Sequence, residues 1–580
     1  MHVVATAGHV DHGKSTLILT LTGTDPDRWA EEKQRGLTID LGFAHTHLPS
    51  GAEISFVDVP GHVRFLKNML AGVGAVDACL FVVAATEGWK PQTEEHLRIL
   101  DLLGMRHGVI ALTKVGLVDD DLLELAMLDV DEHVQGTFLE RAEVVPVDAP
   151  TGVGVDELRA ALDRLLATTP KALDLGRPRL WIDRVFAAKG SGTVVTGTLA
   201  GGPLSEDREM VVLTPSGAHD VRIRSLQTHG ARRETVAPGN RVAVNLVGIG
   251  HDELARGDAL IDPGQWHRSM RFDARLDVLA SLDHEVSRRG AFAAAIGSAE
   301  VPVKVRILGT AGIEPGSSGL VRIHLPAPLP LVPGDRFILR DHGREETVGG
   351  GEVLDVDPRR PASKARPDRS VDRLIAERGW IDVAQLARLT GTPWEGPLVA
   401  GRWVVSPTAL DAERARILEL VEGAGDLGLD PASLGERPRA VLPLLADDGV
   451  AVVDGRVRHV AGRDPLADHP FVTALEAQPY SPPDATGVDR TQLRELIRRG
   501  LVVERDGIHF APSAVEAAAM VVSGLLVDRP EGVTVAEVRD ALGATRKHVL
   551  PLLAQLDATG VTRRRGDLRI GGPRLPHPSP

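Results

Sequence analysis

The chain has 580 residues, of which 43% are hydrophobic and 25% are charged, and its formal net charge is -14 at pH 7. This length predicts several domains, and the composition is typical of a soluble globular protein without a membrane span. The acidic charge disfavours a protein that binds nucleic acid over its whole surface, but local basic patches remain compatible with RNA binding. The N-terminus lacks a secretory signal pattern and Cys79 is the single cysteine. We therefore expect a cytoplasmic protein without disulfides.

Apolar, β-branched runs alternate with helical stretches from the N-terminus to about residue 170. This alternation is typical of a mostly parallel sheet with crossover helices. The predicted strands are His2–Thr6, Glu53–Asp58, Cys79–Ala85, Val109–Thr113 and Glu143–Val147. We therefore expect an α/β domain at residues 1–170, whose first helix begins at Thr16.

The pattern then changes to short strands divided by glycine and proline, as in APGNRVAVNL and LPLVPGDRFILRD. It predicts two antiparallel β-barrels, at residues 171–264 and 265–356. Residues 357–368, DPRRPASKARPD, are rich in proline and basic residues and are predicted to form a linker. Beyond it, a unit of helices followed by two short strands recurs about every 50 to 60 residues. This recurrence predicts four winged-helix domains, at residues 369–408, 409–462, 463–512 and 513–576.

Residues 8–16, GHVDHGKST, match the pattern G-x-x-x-x-G-K-[ST] between a predicted strand and a predicted helix. In this pattern, backbone N–H groups cradle phosphate oxygens, Lys14 reaches the β- and γ-phosphates, and the Ser15 hydroxyl binds Mg²⁺. We therefore predict that a nucleoside triphosphate binds here and is hydrolysed. The residues of this phosphate loop are Gly8, His9, Val10, Asp11, His12, Gly13, Lys14, Ser15 and Thr16.

Two further segments complete a predicted nucleotide switch. In DVPGH, Asp58 ends an apolar strand and can reach the Mg²⁺ through water, while Gly61 can turn its N–H toward the γ-phosphate. In RGLTID, the Thr38 hydroxyl joins the metal only while the γ-phosphate is present. Hydrolysis would therefore time the release of whatever the ordered loops help to hold.

These motifs, GHVDHGKST, RGLTID and DVPGH, resemble those of the translational GTPase superfamily. The segment LTGTDPDRWAEEKQRGLTIDLGFAH is similar to the bacterial selenocysteine-specific elongation factors. This resemblance implies a multidomain fold of an α/β P-loop GTPase domain, two antiparallel β-barrels and a C-terminal array of winged-helix domains. It also implies that GTP is hydrolysed to GDP and phosphate with Mg²⁺, that His62 positions the attacking water, and that Asp11 helps to hold a monovalent cation.

The guanine-reading motif of this superfamily is [NT]-K-x-D, and the chain departs from it at Gly116, which follows Thr113, Lys114 and a valine. Glycine has no side-chain acceptor for guanine, and each lost charge-assisted hydrogen bond costs about 1.5–3 kcal/mol. Asp119 or Asp120 could substitute if the loop were shifted. Lys114 is expected to stack on the base. Asp148 and Ala149 fall where the family has a Ser-Ala backbone contact to the base. Because of Gly116, the sequence leaves selectivity for guanine open.

The resemblance implies a selenocysteinyl pocket formed by Asp183, Arg184 and Arg241 in the first barrel. A selenol is largely ionised near neutral pH, so guanidinium groups can pair with it, whereas a serine hydroxyl would leave the buried cations uncompensated. The residues by themselves favour a simpler interpretation, an ordinary salt bridge on a strand surface. The resemblance favours the pocket.

The last winged-helix unit is locally basic, with seven Arg or Lys against four acidic residues between residues 537 and 569. The resemblance implies that it binds an mRNA hairpin downstream of a UGA codon, whereas a solvated charged face is the alternative for any one of these residues. The predicted RNA contacts are Arg546, Lys547, Arg563, Arg564 and Arg565.

The sequence thus favours a monomeric, GTP-dependent elongation factor that delivers selenocysteinyl-tRNA to the ribosome at UGA codons. One alternative is a different translational GTPase, such as a general tRNA carrier or an initiation factor. The other is a nucleic-acid-binding regulator with a decayed GTPase domain, which Gly116 leaves open. Lys14, Thr38, Asp58 and His62 count against decay because the residue types needed for hydrolysis are all present.

Overall fold

The computed structural model describes residues 2–26, 40–60, 76, 78–188, 192–460, 466 and 468–577. The chain forms two compact units, the first of residues 1–398 and 402–406 and the second of residues 399–401 and 407–580. Among the helices in the described ranges, none has the length and apolar character needed to cross a membrane.

The first unit begins with an α/β domain around a six-stranded sheet of order β2-β3-β1-β4-β5-β6. Only β2 runs antiparallel to its neighbour. The strands are β1 (His2–Ala7), β2 (Gly42–His47), β3 (Glu53–Asp58), β4 (Ala78–Ala84), β5 (Gly108–Thr113) and β6 (Val144–Pro146), and the helices are α1 (Lys14–Thr22), α2 (Pro91–Leu102), α3 (Asp120–Val134) and α4 (Val155–Thr168). Because parallel strands end at the same edge, the loops after β1, β3, β5 and β6 share one edge of the sheet.

Helix α1 begins at Lys14, two residues before the predicted Thr16. Gly13 adopts the left-handed conformation, with φ 86°, and so ends the preceding loop directly before the helix. Strands β1 and β4 are buried along their whole length, as expected for central strands of a parallel sheet covered on both faces.

The first barrel follows and is antiparallel. Its strands are β7 (Arg179–Trp181), β8 (Arg184–Ala188), β9 (Gly192–Ala200), β10 (Leu204–Ser205), β11 (Glu209–Thr214), β12 (Gly217–Thr228), β13 (Ala231–Arg233), β14 (Thr235–Val236), β15 (Arg241–Val247) and β16 (Ala259–Ile261). Pairing of β11 with β12 closes a ring of six strands, β11-β16-β7-β9-β15-β12, and β8 adds to the outside of β9. Closure removes exposed strand edges from this ring.

The second barrel is a seven-stranded antiparallel half-barrel of order β20-β19-β24-β25-β17-β23-β21, beside a small β18–β22 ribbon. Its strands are β17 (Arg268–Val278), β18 (Val286–Ser287), β19 (Phe292–Ile296), β20 (Ala299–Pro302), β21 (Lys304–Leu308), β22 (Gly312–Ile313), β23 (Ser318–Pro330), β24 (Arg336–Asp341) and β25 (Glu346–Asp355). The predicted linker packs on this barrel, because Ala362 and Ala365 are buried together with Leu308.

The first unit ends with a small helical domain that shares a hydrophobic core with the second barrel. Its elements are α5 (Val371–Arg378), β26 (Trp380–Asp382), α6 (Val383–Thr390) and β27 (Trp403–Val405). Strands β26 and β27 pair antiparallel as a two-stranded wing.

The second unit repeats this arrangement of helices and short antiparallel sheets. Its elements are α7 (Pro407–Gly423), α8 (Glu436–Val441), β28 (Val450–Val453), β29 (Arg456–His459), α9 (Pro470–Ala477), α10 (Arg490–Arg498), β30 (Val503–Arg505), β31 (Ile508–Phe510), α11 (Pro512–Asp528), β32 (Val533–Thr534), α12 (Val535–Leu542), α13 (Arg546–Ala558), β33 (Thr562–Arg565) and β34 (Leu568–Gly571). The predicted fold class, an α/β domain, two antiparallel barrels and winged helices, is confirmed.

Candidate functional site

The loop between β1 and α1 folds around a buried ammonium group. Nζ of Lys14 donates to the carbonyl oxygens of Gly8, at 3.0 Å, and His9, at 2.6 Å. Gly8 has φ 134°, and a Cβ added there would lie 2.1 Å from the carbonyl oxygen of Val82. Only glycine therefore lets the loop cross β4 so closely. The loop has the form of a cradle for an anion, with a cation at its base.

The Asp58 carboxylate, fully buried at the end of β3, lies directly beside this loop. It accepts hydrogen bonds from Oγ of Ser15 at 2.8 Å and from Oγ1 of Thr6 at 2.6 Å. Thr6 in turn accepts from the backbone N–H of Val59 at 3.1 Å. A hydroxyl and a carboxylate side by side supply the hard oxygen ligands that Mg²⁺ takes in nucleotide sites, so these residues fit the metal that the motif implies.

A third group of residues lies at the ends of β5 and β6. The Thr113 hydroxyl donates to the carbonyl oxygen of His12 at 2.7 Å and so ties this edge to the phosphate loop. Lys114 adopts the left-handed conformation, with φ 61°, and Nζ donates to Glu87 at 3.1 Å. Asp148 and Ala149 follow β6 and are both buried. The structure therefore brings the predicted base-side residues to the same edge as the phosphate loop.

Asp119 and Asp120, the proposed substitutes for the missing acid, belong to helix α3 instead. Asp119 is the N-cap and accepts from the backbone N–H of Leu122 at 2.9 Å, while Asp120 is the first helical residue. Thr38, Gly61 and His62 lie outside the described residues, and their assigned roles stay predictions.

A cavity of about 1050 Å³ lies between the α/β domain and the first barrel, and the predicted pocket residues line it. Arg241 forms a bidentate ion pair with Asp183, with Nη1–Oδ2 and Nη2–Oδ1 distances of 2.6 and 2.9 Å. The Thr196 hydroxyl donates to the same carboxylate at 2.7 Å. The Arg241 guanidinium also stacks on the ring of Phe43, 3.4 Å from its centroid. Packing and pairing together hold this cation in one orientation.

Sequence reasoning missed three further residues of this cavity: Phe43, Asp40 and Arg256. Asp40 accepts from Nη2 of Arg256 at 2.7 Å and lies 3.4 Å from Nη2 of Arg184. Burial opposes ionisation of Asp40, but the hydrogen bond and charge of Arg256 outweigh it, so its pKa lies below the ordinary value. In the described part of the cavity, the guanidinium groups of Arg184, Arg241 and Arg256 lie beside the two carboxylates of Asp40 and Asp183. No local motif marks these residues, because they meet only in the folded chain.

The basic residues of the last winged-helix unit are mostly on its surface. Arg546 and Lys547 are exposed in the first turn of α13, and residues 563–565 are exposed along β33. Arg569, which adds to the positive charge of this region, is buried and pairs with Asp557 at 3.3 Å. The exposed groups are thus available to a polyanion, whereas Arg569 has a structural partner.

Comparison with protein families finds three matching regions. Residues 1–168 match the family described as "Elongation factor Tu GTP binding domain". Residues 273–360 match "Selenocysteine-specific elongation factor, beta-barrel domain", and residues 526–570 match "Elongation factor SelB, winged helix".

Relatives of the whole chain agree with these matches. The selenocysteine-specific elongation factor of Desulfomicrobium baculatum is 33% identical over 98% of this chain and 99% of its own length. The Escherichia coli (strain K12) factor of the same name is 31% identical over 97% of this chain and 98% of its own length. A crystal structure of bacterial selenocysteine-specific elongation factor EF-Sec has a TM-score of 0.74 at 27% identity, and covers 98% of this chain and 99% of that one. The chain therefore belongs to the family of selenocysteine-specific elongation factors and is a translational GTPase.

Proposed function

We propose that this protein carries selenocysteinyl-tRNA to the ribosome at UGA codons in its GTP-bound form, while its last winged-helix unit binds an mRNA hairpin downstream of the codon. The observation that carries this proposal is the cluster of three arginines, Arg184, Arg241 and Arg256, that lines the cavity of the first barrel. The near full-length matches favour this function over the other two that the sequence left open.

The nucleotide is proposed to bind along the shared edge of the sheet in the α/β domain. Backbone N–H groups of the phosphate loop, Gly8 to Thr16, and Nζ of Lys14 would hold the phosphates. The residues proposed for the base side are Thr113, Lys114, Asp148 and Ala149, with Asp11 near a monovalent cation.

For hydrolysis, Ser15 and Asp58 would hold Mg²⁺ together with Thr38, and the ion would neutralise charge on the phosphate oxygens. His62 is proposed to orient the attacking water, and Gly61 to donate its N–H to the γ-phosphate. Asp58 is already fixed by the Thr6 and Ser15 hydroxyls, so this carboxylate needs no reorganisation.

Asp40, the last residue of RGLTID, lines the cavity of the first barrel. This residue follows Thr38 by two positions and pairs with Arg256, and through Arg184 it faces the cavity. A loop that reorganises when the γ-phosphate leaves would move Asp40 and so change the charge balance around the two arginines. We propose that this contact transmits the nucleotide state to the aminoacyl group.

The chemistry of the cavity favours an ionised side chain over a neutral one. A selenolate can form charge-assisted contacts with the arginines that line the cavity, whereas a serine hydroxyl brings no charge to them.

The test compares binding of selenocysteinyl-tRNA and seryl-tRNA on the same tRNA body, with a non-hydrolysable GTP analogue and with GDP. We expect a preference for the selenocysteinyl form of at least about 100-fold in the GTP-like state. GDP should weaken binding of the selenocysteinyl form. Equal affinities for the two aminoacyl groups would contradict the proposal.

A further inference from the structure

The space beside Gly116, where the guanine-reading motif normally has its acid, is filled by another carboxylate. Gly116 lies in the short 3-10 turn Val115–Leu117 that follows β5. A Cβ added to Gly116 would lie 3.0 Å from Oδ2 and 3.2 Å from Cγ of Asp148. These distances are shorter than ordinary contacts, so a side chain at position 116 and the Asp148 carboxylate compete for the same volume.

The backbone of Gly116 does not itself need glycine. Its φ lies outside the left-handed region, which is instead occupied by Lys114, two residues earlier. An L-amino acid could adopt the backbone conformation of Gly116, so a side chain there would be crowded by the Asp148 carboxylate and not by backbone strain. The absence of a side chain at Gly116 therefore leaves the space that the Asp148 carboxylate occupies.

Asp148 is held firmly beside this turn. Strands β5 and β6 pair in parallel, and the N–H of Val147 donates to the carbonyl oxygen of Leu112 at 2.8 Å. The backbone N–H of Asp148 donates to the carbonyl oxygen of Val153 at 2.9 Å. The Thr151 hydroxyl donates to Oδ2 of Asp148 at 2.5 Å. These bonds fix both the backbone and one carboxylate oxygen.

The other oxygen of Asp148 is available to a ligand. Asp148 is only 6% exposed, and Oδ1 accepts no hydrogen bond from the residues that the structure describes. Oδ1 is reached by solvent, so a donor on a bound ligand can replace water there. A bound base would supply one at this edge, next to Lys114.

We propose that the carboxylate of Asp148 recognises guanine, by accepting hydrogen bonds from N1–H and the 2-amino group, in place of the acid missing at position 116. This inference rests on the proposed binding of GTP at the loop Gly8 to Thr16. Guanine presents two parallel donors and an ionised carboxylate offers two acceptors, so the pair is matched and charge-assisted. Xanthine has a carbonyl in place of the 2-amino group and would face the carboxylate with an acceptor.

The experiment measures the dissociation constants of GDP, XDP and ADP with Mg²⁺ for the full chain and two variants. The wild type should prefer GDP over XDP. Asp148→Asn presents one acceptor and one donor, which suits xanthine, so the XDP-to-GDP ratio of dissociation constants should fall by at least about 100-fold. Tight XDP binding by this variant would also show that it is folded.

Asp119→Asn is the matched control, because asparagine remains a good N-cap for α3 and the substitution removes the acidic residue nearest in sequence to Gly116. Its preference for GDP should equal that of the wild type. If Asp148→Asn keeps the wild-type ratio, the inference is overturned. A wild type that binds none of the three nucleotides would instead overturn the proposed nucleotide function.

A second pair of variants moves the carboxylate back to the motif position. Gly116→Asp alone places two carboxylates against each other and should weaken GDP binding by at least about 10-fold, through like-charge repulsion. Adding Asp148→Ser removes the competing group and should restore both affinity and preference for GDP. A double variant without guanine preference would overturn the inference, because the carboxylate would then not be exchangeable between the two positions.

Discussion

The backbone N–H of Gly8 donates a hydrogen bond to Nδ1 of His96 at 3.1 Å, which joins the phosphate loop to a buried histidine 88 residues away. Because Nδ1 accepts this bond, it cannot carry a proton, and His96 is neutral. Burial is the main cause that lowers the pKa of His96 to about 3, with further lowering by Lys14 and His9. Burial likewise lowers the pKa of His12 to about 4.

These lowered pKa values predict that the α/β domain loses stability in mild acid. An unfolded histidine titrates near 6.5, so the unfolded state binds protons first as the pH falls below that value. The stabilisation is complete above pH 6.5 and is lost progressively toward the folded pKa values of His96 and His12. At pH 5 we expect a loss of about 2 kcal/mol for each of the two histidines.

Hydrogen exchange of β1 and α1, corrected for intrinsic rates, can measure this loss at pH 7 and pH 5. His96→Gln keeps an acceptor for Gly8 but does not titrate, so about half of the acid sensitivity should disappear. His47→Gln, at a position where the side chain is 64% exposed, should behave as the wild type does. An equal pH dependence in wild type and His96→Gln would refute the explanation.

A second prediction concerns the close approach of Gly8 to Val82. In Gly8→Ala, the new Cβ would lie 2.1 Å from the Val82 carbonyl oxygen, so the loop must move away from β4. The phosphate-binding N–H groups would move with it. We expect GDP affinity to fall at least about 100-fold, since several phosphate hydrogen bonds worth about 1.5–3 kcal/mol each are disturbed.

Gly136→Ala separates this collision from ordinary backbone strain. Gly136 also has a positive φ, of 69°, but a Cβ there meets nothing within 4 Å. The Gly136→Ala variant should lose about 1 kcal/mol in free energy of unfolding because of backbone strain, and titration calorimetry should show an unchanged GDP affinity. Similar affinity losses in the two variants would mean that the contact with Val82 is not what matters.

Local sequence patterns predict the phosphate loop, but they do not predict its contacts with residues distant in the sequence. Gly8, Lys14 and Ser15 lie within eight residues and act through backbone geometry, so their spacing carries the information. The contact between Gly8 and His96 joins the phosphate loop to helix α2, and no sequence pattern around His96 predicts it. Helix α1 begins two residues before the predicted Thr16 because the left-handed Gly13 ends the loop directly before Lys14.

The cavity of the first barrel likewise depends on contacts that local sequence patterns do not predict. Only the family resemblance points to Asp183, Arg184 and Arg241, because their charges alone are compatible with a surface salt bridge. Their partners Phe43 and Asp40 come from the α/β domain, more than 130 residues earlier in the chain. Pairing between domains depends on how the domains pack, and periodicity within one segment does not encode it.

A third prediction addresses the geometry of Arg241. Arg241→Lys keeps the charge but loses the bidentate pair with Asp183 and the flat contact on Phe43. An ammonium group on a flexible stem would leave the cation misplaced for a selenolate. We expect the preference for selenocysteinyl-tRNA over seryl-tRNA to fall at least about 10-fold, corresponding to about 1.4 kcal/mol.

Arg232→Lys is the matched substitution on the same barrel. Arg232 also forms a bidentate pair, with Glu206 at 2.8 and 2.9 Å, but its side chain is 68% exposed. Binding measured with both aminoacyl-tRNAs should be unaffected by this change. A loss of preference in both variants, or in neither, would argue against a specific role of Arg241.

The last prediction concerns the exposed start of α13. The double substitution Arg546→Ala with Lys547→Ala removes two cations from the first turn of a 13-residue helix, where the backbone dipole also favours anions. Affinity for the hairpin directly downstream of a UGA codon in the message should fall. The slope of log affinity against log salt should decrease by about 2 if both side chains contact phosphates.

Two further measurements make this result specific. Arg539→Ala removes a cation from the same unit that is paired with Asp540 at 2.5 Å, so it should alter neither hairpin affinity nor the salt slope. GTP hydrolysis by the double variant should equal that of the wild type, because the phosphate loop belongs to another domain. A hairpin affinity that fell without a change in salt slope would assign these two residues to base contacts, since only phosphate neutralisation releases counterions. An unchanged affinity would move the RNA-binding surface away from α13 altogether.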